Sequence, residues 1–168
     1  MLSQRPSPVP ILFMVLCAMP ASAGDLNVVL PMPESKRYVS ECGSCHTAYS
    51  PTYLPARSWR KLMLELDRHF GEDASLPQME RDQLLAQLEV LAGDTPRAVP
   101  AIAARNARVA VTETPVRVTE MPFFAFMHDE VPAAIWRRAK VGSKGNCIAC
   151  HPRAEEGRYF EREIQIPK

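Results

Sequence analysis

Apolar positions recur at helical spacing in two stretches of the chain. Across 57–70 (RSWRKLMLELDRHF), Trp59, Leu62, Met63, Leu66 and Phe70 share one face, which predicts an amphipathic helix. Gly71 is placed to end it, because glycine reaches the left-handed conformation at little cost. Farther on, Leu84, Leu85, Leu88 and Leu91 mark a second apolar face. That helix is expected to begin at Ser75-Leu76-Pro77, with Pro77 near its first position, and to close at Gly93. Between 94 and 120 the pattern weakens. Pro96, Pro100 and Pro115 interrupt it and Val109–Thr112 alternates only briefly, so a linker or wrap with short strand pairing is predicted. A short helix from Pro122 should carry His128, and Pro132 should start another containing Ile135 and Trp136.

The first residues carry a different pattern. Arg5, the apolar run Ile11–Met19 and the sequence Ala21-Ser22-Ala23 read as a secretory signal peptide over 1–23. The run is too short for a bilayer, which needs about 20 apolar residues. Cleavage after Ala23 implies a non-reducing compartment and no integral membrane segment in the mature chain. Arg5 is the only charged residue lost, so the basic residues then equal the 19 acidic ones.

Composition narrows the class. Of 168 residues, 46% are hydrophobic and 23% charged, which excludes a disordered tail and a polytopic membrane protein. The formal charge of +1 gives no electrostatic footing for nucleic acid. Proline, at 16, outnumbers glycine, at 7, so long regular elements should be few. The expected fold is mainly α with much irregular structure, built as two small units: 24–93 and 121–168, joined by the proline-containing linker 94–120.

Four cysteines remain after the leader, and outside the cytosol they would ordinarily suggest disulfides. They fall instead in two pentapeptides, Cys42-Gly-Ser-Cys45-His46 and Cys147-Ile-Ala-Cys150-His151. CxxCH is the attachment motif of c-type haem. Two thiols three residues apart reach the two vinyl groups as thioethers, and the adjacent histidine swings under the iron as an axial ligand. A redox CxxC would not require the histidine twice, and zinc would need a further ligand at each motif. Two covalently bound haem c groups are therefore expected, held by Cys42, Cys45, Cys147 and Cys150, with His46 and His151 on the iron.

Only two other histidines exist. His69 lies 23 residues after His46 and His128 lies 23 residues before His151, so the halves are not a tandem repeat. At about 100° per residue His69 falls about 280° beyond Trp59, beside Leu62 at about 300°, on the flank of the apolar stripe. His128 follows three phenylalanines, with Phe124 one helical turn before it. Both are candidates for the second axial position. Methionine is the competing ligand, and Met63, Met79, Met121 and Met127 lie near these histidines in sequence.

With these residues in place the chain resembles the small periplasmic dihaem cytochrome c family known as DHC. The match lies in Glu41-Cys-Gly-Ser-Cys-His46, in Pro55-Ala-Arg-Ser-Trp59 leading to Arg68-His-Phe-Gly-Glu-Asp-Ala-Ser-Leu76, and in His128–Trp136 through Val141–His151. The 94–120 region contributes little to it. The resemblance implies bis-histidine ligation of each haem, with His46 and His151 proximal and His69 and His128 distal, and an electron carrier rather than an enzyme. It also implies redox partners such as a small monohaem cytochrome, a b-type membrane cytochrome or a terminal reductase. The competing expectations are a haem enzyme or gas-binding protein with one open iron, and a dihaem subunit of a periplasmic terminal reductase.

Overall fold

A computed structural model describes residues 27–168; the predicted leader, 1–23, lies outside the described residues. The described chain is helical and irregular, without a named strand. Its helices are α1 (Lys36–Cys42), α2 (Ala56–Leu64), α3 (Gln78–Val90), α4 (Pro100–Asn106), α5 (Pro122–Met127) and α6 (Ala133–Trp136), with a 3-10 turn between α1 and α2, α2 and α3, and α4 and α5, and three more after α6. No described helix is long and apolar enough to cross a membrane.

The main core forms where α2 packs on α3. Trp59 and Met63 from α2 meet Leu84 and Leu88 from α3, with Tyr38, Leu54 and Met121 closing the cluster. Helix α2 begins after Pro55, which has no side-chain oxygen to cap it. Asp94 supplies one from 38 residues on, accepting the Ala56 N–H at 2.8 Å. Helix α3 starts one residue later than expected, with Pro77 as its N-cap. Gly93 does not close that helix through a left-handed turn. It lets two backbones touch: a Cβ there would lie 2.4 Å from the Thr52 carbonyl, and its N–H donates to Leu54 O at 2.8 Å.

The buried loop 50–55 is the strut of the molecule. Ser50 Oγ donates to Pro31 O at 2.6 Å and Trp59 Nε1–H to Pro51 O at 2.8 Å. Thr52 Oγ1 accepts the Val99 N–H at 3.1 Å, and the Asn106 amide donates to Tyr53 O at 3.1 Å. Asn106 Oδ1 in turn accepts the Phe123 N–H at 3.0 Å, capping the start of α5. Segment 94–120 thus holds a helix, α4, in the linker, and Val109–Thr112, where brief alternation suggested strand pairing, forms no strand. Ile102, fully buried, draws it onto a second, smaller cluster with Leu30 and Phe123.

The largest departure from the sequence pattern falls between 64 and 72. The helix predicted through Phe70 ends at Leu64, because Glu65 leaves helical geometry at φ −117° and ψ 28°. A 3-10 turn over Leu66–Arg68 follows, and the chain reverses at Phe70 and Gly71, with φ of 54° and 102°. Two consecutive positive φ values closed by Glu72 N–H to His69 O at 3.1 Å make a primed turn. Gly71 takes this geometry freely, whereas Phe70 pays about 1–2 kcal/mol for it. Phe70 is consequently 49% exposed rather than part of the buried stripe.

Candidate functional site

The two CxxCH motifs sit on different local frames. Cys42 is the last residue of α1, and Gly43 N–H donates to Val39 O at 2.9 Å, turning the chain so that Cys45 and His46 follow outside the helix. The second motif is a 3-10 turn, Cys147–Ala149, stitched by Cys150 N–H to Cys147 O at 3.1 Å and His151 N–H to the same carbonyl at 2.8 Å. No disulfide joins the four cysteines. Burial pushes the Cys42 thiol up to about 11 and Cys147 to about 12, which keeps both as S–H.

The fold then brings the remaining histidines to the motifs. His69 stands against His46 with ring centroids 6.1 Å apart and planes at 25°. His128 stands against His151 at 6.3 Å, with planes at 85°. An iron held between two imidazoles requires a like spacing: two metal–nitrogen bonds of about 2.0 Å and two half-rings put the centroids roughly 6 Å apart. Both pairs therefore fit the group that the motifs imply. Among the described residues no three His, Cys, Asp or Glu side chains converge as donors, so neither motif is shaped as a zinc site.

Hydrogen bonding decides which nitrogen each ring offers. His46 Nδ1 lies 2.8 Å from Thr47 O, and His128 Nδ1 lies 2.9 Å from Phe124 O. A carbonyl only accepts, so both Nδ1 atoms carry the proton and Nε2 keeps the lone pair. His69 Nδ1 is buried without a hydrogen-bond partner. Burial, and then His46, lowers the His69 pKa; burial likewise lowers that of His128, with Lys144 adding to it against the Phe124 bond. His151 falls to about 4, through burial first and His128 second. These three rings are neutral, ligand-ready imidazoles at neutral pH.

The walls are aromatic. Phe124 stacks on His128 with centroids 4.1 Å apart, the i, i+4 pair read from the sequence, and Trp136 adds a ring 5.7 Å from the same histidine. An open cavity of about 350 Å³ lies between these rings and Lys144. At the first pair a smaller cavity of about 140 Å³ is lined by Leu62, Arg68, His69 and Phe70. The methionines are engaged elsewhere: Met63 and Met121 are buried in the main core, Met127 packs on the second cluster, and Met79 is 72% exposed. Sequence reasoning missed Tyr159, whose ring lies 5.2 Å from His151, and the role of Tyr49, stacked 5.0 Å from His46. No periodicity marks either one.

Short helices and loops gathered around two opposed imidazole pairs, each beside a CxxC, define a multihaem cytochrome of the c type. A family model for dihaem cytochrome c matches residues 38–159, and the chain belongs to that family. It is a dihaem cytochrome with two covalently bound haem c groups. Among solved structures it is similar to a diheme cytochrome c from Rhodobacter sphaeroides, at 39% identity and TM-score 0.68, covering 79% of this chain and 100% of that one. It is also similar to the diheme cytochrome sb-DHC from Shewanella baltica OS155, at 34% identity and TM-score 0.65, covering 81% of this chain and 95% of that one. Among curated proteins no sequence matches the chain.

Proposed function

We propose that this dihaem cytochrome is a periplasmic electron carrier whose two haems are low-spin and bis-histidine ligated, with no substrate at either iron. The observation that carries the reading is the pairing itself. Each CxxCH histidine faces one further histidine, at 6.1 and 6.3 Å between ring centroids, and the four histidines of the chain are used completely. Cys42 and Cys45 hold the first haem and Cys147 and Cys150 the second, by adding each S–H across a vinyl group. His46 and His151 are the proximal ligands, His69 and His128 the distal ones.

A bound haem supplies a one-electron couple, and the chain sets its conditions. The Nδ1–H bonds to Thr47 O and Phe124 O fix ring orientation and make those imidazoles better donors. Imidazole on both faces holds the potentials below those of His/Met ligation. The leader pattern over 1–23 supports export to the periplasm. A small monohaem cytochrome, a b-type membrane cytochrome or a terminal reductase is the class of redox partner. With closed irons the chain works as a carrier and not as an enzyme.

The test is the optical spectrum of the purified holoprotein, oxidised and reduced, with and without carbon monoxide. Low-spin bands indifferent to carbon monoxide are expected. A shift in about half of the haem would show one open or exchangeable iron and replace this reading with a gas-binding or catalytic one.

A further inference from the structure

Tyr49 reaches from the first haem-binding motif to the turn that leads into the second. Its ring stacks on His46, with centroids 5.0 Å apart and planes at 20°. Its hydroxyl donates to the Gly145 carbonyl at 2.7 Å, two residues before Cys147 and 96 positions away in the chain. The backbone beneath it is held as well: Tyr38, 2% exposed, donates its hydroxyl to Tyr49 O at 2.5 Å, and Ser50 next door is tied to Pro31. The partner position is equally constrained. A Cβ on Gly145 would sit 2.8 Å from the Tyr49 hydroxyl, so a side chain there would displace it. One end of this strut thus lies on the histidine of the first motif and the other on the turn just before the second, in close contact with Gly145.

We propose that Tyr49 is the positioning residue that sets the first haem-binding turn against the second, through its ring on His46 and its hydroxyl on the Gly145 carbonyl. The inference rests on the electron-carrier reading, since its consequence is the rate at which the two haems share an electron. One haem is oxidised as the other is reduced, with no proton or bond change, and tunnelling falls exponentially with separation. A clamp that removes slack between the motifs therefore holds that rate high without touching either iron.

Two substitutions separate the parts. Tyr49→Phe keeps the ring on His46 and removes the hydroxyl; Gly145→Ala breaks the same contact from the other side. Both are made as holoproteins with haem content measured, reduced by a flash with less than one electron per molecule, and followed as the electron equilibrates between haems. Each is expected to slow equilibration severalfold while the paramagnetic resonance signature of both irons stays as in wild type. The double variant should be no slower than either single one, because both remove one contact. Tyr49→Leu should in addition alter the first haem's resonance signature, as His46 loses its stacking partner. Wild-type equilibration in Tyr49→Phe and Gly145→Ala, or additive effects in the double variant, would overturn the proposal. Carbon monoxide binding to the wild-type protein would instead strike the carrier reading beneath it.

Discussion

The two haem-binding regions reach the same opposition of two imidazoles by different means. In the first, the histidine pair lies beside a protein core. Helices α2 and α3 bury Trp59, Met63, Leu84 and Leu88 against Tyr38 and Leu54. Its candidate distal ligand, however, stands on a primed turn, with Nδ1 unpartnered and Phe70 in the left-handed region beside it. In the second region the core is thin, since Phe123 packs in the smaller cluster with Leu30 and Ile102 from outside 121–168, yet His128 is fixed by a hydrogen bond to Phe124 O and by two aromatic rings. One side has a larger core and a lightly held histidine; the other has a well-held histidine and a smaller core. Covalent haem therefore has more apolar surface left to supply in the second region than in the first.

The strongest way to break this contrast is to remove each haem in turn. Cys147→Ser with Cys150→Ser should lose one haem and most hydrogen-exchange protection over 121–168. Cys42→Ser with Cys45→Ser should lose the other while α2 and α3 stay protected. Haem content and amide exchange check both, and equal loss of protection in the two variants would show the scaffolds to be equivalent.

A core truncation should give the next largest effect. Leu88, fully buried between α2 and α3, is expected to cost about 3 kcal/mol as Leu88→Ala. Ile102→Ala, in the smaller cluster, should cost nearer 2 kcal/mol. Denaturant unfolding of the two holoproteins measures both, and a larger loss at Ile102 would reverse the ranking of the cores.

Acid should act more gently, and through the axial imidazoles. A histidine on iron binds no proton at its ligating nitrogen, whereas one released by unfolding takes a proton near its ordinary value of about 6.5, so below that pH the unfolded chain binds more protons. Stability is therefore whole above about pH 6.5 and declines as the pH falls below it. Melting temperatures of the holoprotein across acid pH provide the check; a flat profile would show that unfolding releases no axial histidine.

Much of the helical framework was legible because it is local. The leucines of α3, the Pro122 and Pro132 starts of α5 and α6, and the Phe124–His128 pair all follow from spacing within one or two turns. The break at Glu65 was not legible: the apolar period continues through Leu66 and Phe70, while the backbone turns to bring His69 opposite His46. Helix α4 escaped because prolines dominate its neighbourhood, and its anchor, Ile102, meets partners about 20 and 70 residues distant in sequence. Tyr49 escaped as well, because its bond to Gly145 spans 96 positions.

The amino-acid sequence alone determined the haem chemistry, because thioether attachment needs only two thiols and an imidazole at fixed short spacing, and four histidines leave few ways to fill two irons. The tertiary structure decided which imidazole faces which, at what mutual angle, and how one motif is braced against the other. Those depend on packing and single long-range hydrogen bonds, whose partners are chosen by how distant segments close on one another, and no local pattern records that choice.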